Sequence, residues 1–314
     1  MRKLSALVLA AASLLLGAHS ASAADNGEWA VYPVASELGS RPYFYLSADP
    51  GTTVTDQVTV ANRTDAPRTF LIYGADAYNT ERDGGFAVRG REEKQTGAGA
   101  WITPDRTRVT VSPHTSVTVP YTLAVPSDAE PGDHPGAVVA LDERVEGGGS
   151  GAVAVGVRRA VAARVYLRVD GPAVPALGVE DVTLSQDRPL VPGTGESSAV
   201  VSYTLHNRGN VTLRPKVALR AEGLLGRTLL DRELTRVPSE LLPRQKIRLT
   251  ARWAGSPQFD WGDVTLTATA ENVRESGRVS FLALPWSAVA VVVLGAVTGL
   301  AGLRVRRRRA AAGR

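Results

Sequence analysis

The side chains that most often carry out chemistry are sparse in this 314-residue chain. Three of its four histidines, His114, His134 and His206, follow the first 23 residues, and each lies alone in or beside a run of turn-forming residues. No two of them have the i, i+4 spacing that places two metal ligands on one helix face. The chain contains no cysteine, which excludes a thiol nucleophile and a thiolate metal site. The sequence therefore predicts no metal site and no cofactor.

Asp133 and His134 are adjacent and could supply the acid–base pair of a hydrolase, which also needs a presented nucleophile. The chain has no Gly-x-Ser-x-Gly motif to present a serine. The neighbouring carboxylates Glu92 and Glu93 lie in a charged stretch, which is typical of a solvated surface. We therefore predict a protein that is not an enzyme.

Aromatic and cationic side chains are concentrated in and just after residues 75–100, a stretch longer than an ordinary turn between strands. Long loops on a rigid scaffold are frequent binding sites. Aromatic faces can stack on sugar rings, and guanidinium groups can bind hydroxyls. The predicted ligand-binding residues are Tyr78, Phe86, Arg89, Arg91 and Trp101. For Trp101 the structural alternative is a core or rim position beside a strand.

Short alternating strands must position these residues, because 31 Gly and 19 Pro leave little room for long helices. Thr53–Asn62 is one such run, and turn residues follow it at once. The pattern predicts an all-β fold of two tandem immunoglobulin-like β-sandwiches, at residues 28–170 and 177–280. A linker at 171–176, which contains two prolines, separates them.

The N-terminal segment, residues 1–23, has a short cationic start, an apolar run and the small residues Ala21-Ser22-Ala23. This arrangement is typical of a secretory signal peptide, and it predicts cleavage between Ala23 and Ala24.

The C-terminal segment contains 23 uncharged residues at 281–303, followed by a basic tail at 304–314. Its length and the positive flank predict one transmembrane helix, a cytoplasmic tail and an extracellular ectodomain at the plasma membrane. The topology-determining residues would be Arg304, Arg306, Arg307, Arg308 and Arg309. Gly295 and Gly299 have a spacing that allows two such helices to approach closely.

The formal charge of +5 belongs to the two ends of the chain. Without the eight cationic residues at the extreme termini, 28 Lys and Arg face 31 Asp and Glu, a net charge of −3. A nucleic-acid partner is therefore not expected.

Several short motifs recur in an order known from one family. They are Tyr43–Leu46, Pro50-Gly51-Thr52, Val58–Asn62, Trp101-Ile102, Val109–Pro113, Leu123–Pro126, Pro131–Val139 and Arg159–Val165. Residues 29–170 thereby resemble the peptidoglycan-binding domain of the WxL-interacting proteins, which are cell-surface proteins of Gram-positive bacteria.

The resemblance implies a membrane-anchored, non-catalytic protein that faces the cell wall. Its first module would bind peptidoglycan, and its protein partners would be secreted proteins with Trp-x-Leu motifs. Residues 172–280 match the family's second module less well, so binding of host proteins is not carried over. Two alternatives remain. The chain could be a scaffold that binds secreted surface proteins by β-strand addition without contacting glycan, or, less favoured, a cell-wall hydrolase.

Overall fold

The computed structural model describes residues 24–36, 39–148, 155–284 and 286–312, and these divide between two compact units. The first unit comprises the described residues up to Tyr78 together with Ala87–Ala173. The second comprises Asn79–Phe86 and the described residues from Val174 onward. β-Strands dominate both units, so the predicted all-β class with two domains is confirmed.

The first unit has two main sheets. Along the chain its elements are β1 (Ala24–Asp25), β2 (Trp29–Pro33), β3 (Phe44–Ala48), β4 (Thr53–Asn62), β5 (Arg68–Asn79), β6 (Phe86–Val88), helix α1 (Ala98–Trp101), β7 (Ile102–Pro104), β8 (Arg108–Val111), β9 (Ser116–Ala124), β10 (Gly132–Asp142), β11 (Glu146–Gly148), β12 (Val155–Val157) and β13 (Ala160–Val169). One sheet has the order β1-β2-β4-β9-β7. The other has the order β3-β13-β10-β5-β6, and β8 also pairs with β5.

Alternating apolar side chains from both sheets form the core of the first unit. In β9, for example, Val119, Tyr121 and Leu123 are buried and the residues between them are not. The rings of Trp29 and Phe70, from opposite sheets, lie 5.5 Å apart. The two sheets are therefore held together by a continuous apolar layer.

A buried ion network crosses one end of this core. Arg68 Nη1 lies 2.5 Å from Asp142 Oδ2, and the two side chains are only 9% and 3% exposed. The other terminal nitrogen of Arg68 and Nη2 of Arg159 both contact Glu28, at 2.5 and 2.7 Å. The guanidinium carbons of both arginines also lie within 5.3 Å of the Trp29 ring centroid. The Arg68–Asp142 pair is thus buried, and the half-exposed Glu28 and Arg159 complete the network at its rim.

The second unit also has two sheets. Its elements are β14 (Leu177–Asp187), β15 (Ser198–Asn207), β16 (Lys216–Glu222), a 3₁₀ turn (Leu224–Gly226), β17 (Thr228–Glu233), β18 (Lys246–Ala254), β19 (Asp260–Ala270), β20 (Val273–Ala283) and helix α2 (Trp286–Ala312). The sheet orders are β14-β15-β18 and β17-β16-β19-β20. In β18 buried and exposed residues alternate without exception, and the rings of Trp253 and Phe281 meet edge to face at 5.8 Å.

Each unit contains an asparagine whose side chain closes a turn, Asn62 in the first unit and Asn207 in the second. The side-chain amide of Asn62 donates to the carbonyl oxygens of Ala66 and Val111, and its own oxygen accepts from Thr64 N. The side-chain amide of Asn207 donates to Val211 O and Leu241 O, and its side-chain oxygen accepts from Gly209 N. Both side chains therefore close the turn that follows a long strand.

The C-terminal segment corrects one prediction. Phe281 and Ala283 are buried residues of β20, so the start of the predicted span 281–303 belongs to a sheet. Helix α2 begins at Trp286, and its uncharged part ends at Leu303, after 18 residues, a rise of roughly 27 Å against a hydrocarbon core of about 30 Å. No helix in the described ranges is long and apolar enough to cross a membrane. The predicted transmembrane helix and single-pass plasma-membrane location are wrong.

The other predictions for the two ends depend on these residues. Ala23 lies outside the described residues and Ala24 begins β1, so the signal peptide stays a prediction. Gly295 and Gly299 lie in α2 with no atom within 4 Å of where a Cβ would stand, and helix pairing through them also stays a prediction. The topology role of Arg304, Arg306, Arg307, Arg308 and Arg309 depended on the membrane span and is not retained.

Candidate binding site on the edge of β3

Strand β3 is held in the first unit by its inward-facing side chains. It pairs in parallel with β13, so that Phe44 lies opposite Val165 and Tyr45 opposite Tyr166. Phe44 is buried, and its ring meets the Tyr121 ring edge to face at 5.3 Å. Burial raises the pKa of Tyr121, so this phenol stays neutral and serves as a packing surface for the strand. Tyr45, on the opposite face, is 64% exposed.

The outer edge of β3 is open. β3 is the last strand of its sheet, and within the described ranges no other strand pairs with that edge. Its five residues, Phe-Tyr-Leu-Ser-Ala, include no charge and no proline. The unpaired N–H and C=O groups of an edge strand are a template for pairing with another chain, and natural sheets usually block them with charges, prolines or bulges. β3 has none of these blocks.

Every other edge strand of five or more residues in the described part of the chain is charged. These strands are β14, β17, β18 and β20, all in the second unit, and their charged residues are Glu180, Asp181, Asp187, Asp231, Arg232, Glu233, Lys246, Arg248, Arg252, Arg274, Glu275 and Arg278. The pairing of β14 is further interrupted by a register shift between Glu180 and Thr183. β3 is therefore the exception among the long edges.

Three tyrosines cluster beside this open edge. Tyr45 and Tyr166 stack with ring centroids 5.4 Å apart and planes 12° from parallel, because the parallel register places them side by side. Tyr43 packs edge to face against both, at 6.1 and 5.7 Å. Arg164 lies 5.4 Å from the Tyr43 ring and donates from Nη1 to the Tyr166 hydroxyl at 3.1 Å. Tyrosine and arginine are over-represented among the residues that dominate binding energy at protein interfaces.

The stretch predicted as a long binding loop, residues 75–100, is regular structure in part. β5 continues to Asn79, and β6 follows. The carboxylate of Asp76 accepts from the backbone nitrogens of Thr96, Gly97 and Gly99 at 2.5 to 3.1 Å, which holds the remaining segment against the sheet. A Cβ on Gly99 would stand 2.3 Å from the backbone of Ala75, so this close approach requires glycine.

The structure brings some of the predicted ligand residues together and separates others. The guanidinium of Arg89 lies 6.0 Å from the Tyr78 ring and is also paired with Glu93 at 3.3 Å. Arg91 lies 3.7 Å from Glu92. Phe86 is assigned to the second unit. Tyr78 and Arg89 are therefore neighbours, and the ligand-binding role of the set stays a prediction.

Trp101 ends helix α1, and its ring centroid lies 4.7 Å from that of His134 on β10. The three histidines have ordinary local partners: His114 contacts Asp65, His134 contacts the Glu130 carbonyl and His206 contacts Glu180. Among the described residues no three His, Cys, Asp or Glu side chains group as metal ligands would. The arrangement of these side chains indicates packing and surface pairing.

Sequence comparison does not identify the chain: no family model and no curated protein matches it. The solved structures that it resembles include fimbrial chaperones. The class 5 fimbriae chaperone CfaA matches at 10% identity and a TM-score of 0.34, over 81% of this chain and 98% of that one. The SafB chaperone in complex with the Salmonella enterica SafA pilin matches at 10% identity and a TM-score of 0.35, over 83% and 100%.

A chaperone complex with a tip adhesion subunit from the Csu pili of Acinetobacter baumannii matches at 9% identity and a TM-score of 0.35, over 70% of this chain and 89% of that one. At these values the likeness carries no information on the ligand or partner of this chain.

These comparisons correct the predicted relationship. Membership of the WxL-interacting family, which the motifs suggested, is wrong: no family model matches the chain. The motifs that suggested it are short strand and turn patterns, which a β-sandwich of any family can contain. Peptidoglycan as partner, the cell-wall assignment and the WxL-type partner depended on that membership, and they are wrong with it.

Proposed function

We propose that this chain is a non-catalytic protein that binds an extended segment of a secreted surface protein by adding it as a strand to the outer edge of β3. The observation that carries the proposal is the uncharged, unpaired edge of β3 next to a tyrosine stack. Main-chain hydrogen bonds along such an edge supply affinity, and alternate side chains supply specificity. As part of the proposal we retain immunoglobulin-like modules at 28–170 and 177–280.

In this proposal the main chain of β3 supplies affinity, and the side chains on its exposed face supply specificity. Phe44 and Ala48 are buried, so the core fixes the strand and its edge is rigid before a partner arrives. Binding to a rigid edge loses less conformational entropy than binding to a mobile one. Tyr45 and Tyr166 present a broad aromatic surface on the exposed face, where side chains of an added strand would pack. The Arg164 guanidinium adds hydrogen-bond donors beside it.

Site-specific cross-linking tests the proposal. A photoreactive amino acid replaces Ser47 on β3 in the full chain, and the matched control replaces Ser276 on the charged edge strand β20. In cells that produce the chain, we expect cross-links to a secreted protein from position 47 only. The purified partner should then protect the backbone amides of β3 from hydrogen exchange.

Substitutions measure how much the edge of β3 contributes to the free energy of partner binding. Tyr45→Lys places a charge on the edge and removes the stack, and it should weaken partner binding by about 30-fold, the loss typical of an interface hot spot. Ser276→Lys adds the same charge elsewhere and should leave binding unchanged. Equal cross-linking from both positions, or unchanged binding by Tyr45→Lys, would show that β3 is not the docking edge.

A further inference from the structure

The second unit contains an open cavity of about 870 Å³ that is independent of β3. All of its lining residues belong to the second unit, and four of them are cationic: Arg82, Arg236, Lys246 and Arg248. Two are acidic, Glu81 and Asp83. The cavity therefore has a net positive lining, with arginine as its commonest residue.

The alternation of β18 explains why two of these cations face the cavity. Ile247 and Leu249 are buried in the core, so Lys246 and Arg248 must point to the opposite, exposed face of the strand. β15 contributes Thr204, which lies in register with Arg248. The floor of the cavity is therefore rigid sheet.

The wall that carries Arg82 is fixed by Asn79. The Asn79 side chain donates to the carbonyl oxygens of Gly84 and Glu240, and it accepts from Leu242 N at 2.8 Å. Gly84 has a φ of +72°, and a Cβ there would stand 2.8 Å from Ile247. The turn that presents Arg82 is thus pinned to the same unit, and its position is set before any ligand binds.

Some charged side chains of the cavity are hydrogen-bonded within the fold, and others are not. Asp83 accepts from Thr80 Oγ1 and Gly85 N, so its carboxylate is bound within its own turn, and Lys246 lies 3.1 Å from Glu180. Among the described residues, the guanidinium groups of Arg236 and Arg248 have no hydrogen bond or ion pair, and Arg82 has only a coulombic interaction with the neighbouring Asp83. Three arginine forks that face one cavity, none of them hydrogen-bonded to a carboxylate of the described residues, fit carboxylate groups of a ligand.

We propose that this cavity is a second site that binds an acidic peptide segment, whose carboxylates pair with Arg82, Arg236 and Arg248. A peptide fits better than a polyphosphate, because Glu81 and Asp83 would repel a ligand with a phosphate on every unit, whereas a peptide can place uncharged or basic residues beside them. Val237 and the threonines of the floor give such a peptide apolar and hydroxyl contacts.

Fluorescence anisotropy with the full chain tests this site. The probe is a fluorescein-labelled hexaglutamate peptide at low ionic strength, and hexaglutamine is the neutral comparison. The double variant Arg236→Gln and Arg248→Gln should weaken hexaglutamate binding by about tenfold or more, as expected for two lost charge-assisted contacts. The matched control, Arg214→Gln with Arg274→Gln, removes the same charge outside the cavity and should change binding less than about twofold. Circular dichroism establishes that each variant is folded.

The outcomes separate the alternatives. Hexaglutamate binding that is lost in the double variant and kept in the control supports the proposal. Equal losses in both double variants would overturn it, because the whole surface charge would then be the cause. Binding of hexaglutamine as tight as that of hexaglutamate, or no binding of either, would also overturn it. Displacement by tripolyphosphate at lower concentration than by unlabelled hexaglutamate would assign the cavity to a phosphate ligand instead. Tyr45→Lys leaves this assay unchanged, so the two proposals fail independently.

Discussion

The two units distribute their charges in opposite ways. The first buries an ion network inside its sandwich, around Arg68 and Asp142, and leaves the outer edge of β3 uncharged. The second keeps its largest network, around Glu180, at the surface and carries charges on all four of its edge strands. Edge charges prevent pairing with other chains, so the second unit is protected on every long edge and the first unit is not.

This contrast teaches that the edges of a β-sandwich are set independently of its core. Both units have alternating apolar strands and the same asparagine-closed turn, yet among the described residues only the first unit has an edge strand of five or more residues without a charge. The proposed function depends on what an edge lacks, and a search for reactive side chains does not find such a feature.

The largest effect is expected where the first unit buries charge. Asp142→Ala removes the buried partner of the Arg68 guanidinium and leaves it Glu28 as an ion-pair partner, so it should lower the free energy of unfolding of the first unit by about 3 kcal/mol, the lower end of the range for a broken buried pair. Urea unfolding followed by circular dichroism measures the change. Glu143→Ala is the matched control, since Glu143 pairs with the exposed Arg108, and it should have little effect.

A double variant tests whether the buried charge that loses its partner causes this loss of stability. Replacing both partners, Arg68→Met with Asp142→Leu, removes the buried charge together with its counterion and should recover most of the stability lost in Asp142→Ala. If Asp142→Ala unfolds at the same urea concentration as Glu143→Ala, the first unit does not depend on its buried pair and the contrast between the units fails.

A smaller effect is expected at the exposed tyrosine stack. A double-mutant cycle with Tyr45→Ala and Tyr166→Ala should give a coupling of about 0.5–1.5 kcal/mol in the stability of the unpartnered chain. Tyr45→Phe keeps the ring and should keep the coupling. A coupling near zero would mean that the rings are placed by the backbone register alone.

The smallest expected effect is a loss of stability of the second unit at acidic pH. Hydrogen bonds from Arg208, His206 and Lys246 lower the pKa of Glu180 to about 2 from 4.5. Because the folded-state pKa is the lower one, this carboxylate stabilises the fold fully above about pH 4.5, and its contribution is lost as the pH falls toward 2. The difference in Tm between the wild type and Glu180→Gln should therefore shrink over that range. A constant difference would show that the network does not stabilise the second unit through charge.

Much of the fold could be predicted from local patterns. The alternation in residues 246–253 predicts a strand with one buried face, and the structure has that strand as Lys246–Ala254. The two-residue period of a strand likewise predicts that Tyr43 and Tyr45 share a face. It cannot show that Tyr45 stacks on Tyr166, because that contact depends on a parallel pairing between residues 121 positions apart. The candidate site was missed for this reason.

Two departures from the predictions have a common physical origin. The loop predicted for residues 75–100 is closed by the Asp76 carboxylate, and the start of the predicted membrane span is a strand buried in a core. In both cases tertiary contacts decided the structure of a segment whose composition indicated something else. Composition identifies an apolar segment, but the contacts that cover it come from other parts of the chain.

The asparagine that closes the first turn has a consequence for making the protein. Asn62-Arg63-Thr64 matches the acceptor sequence for N-linked glycans, yet the Asn62 side chain is bonded on both ends and only 2% of its surface is exposed. A glycosylating host modifies nascent chains before such a turn has formed. A sugar attached then would occupy the space that the closed turn needs and would replace one of the two amide hydrogens that close it. Modification of Asn62 in a glycosylating host would therefore oppose folding of the first unit.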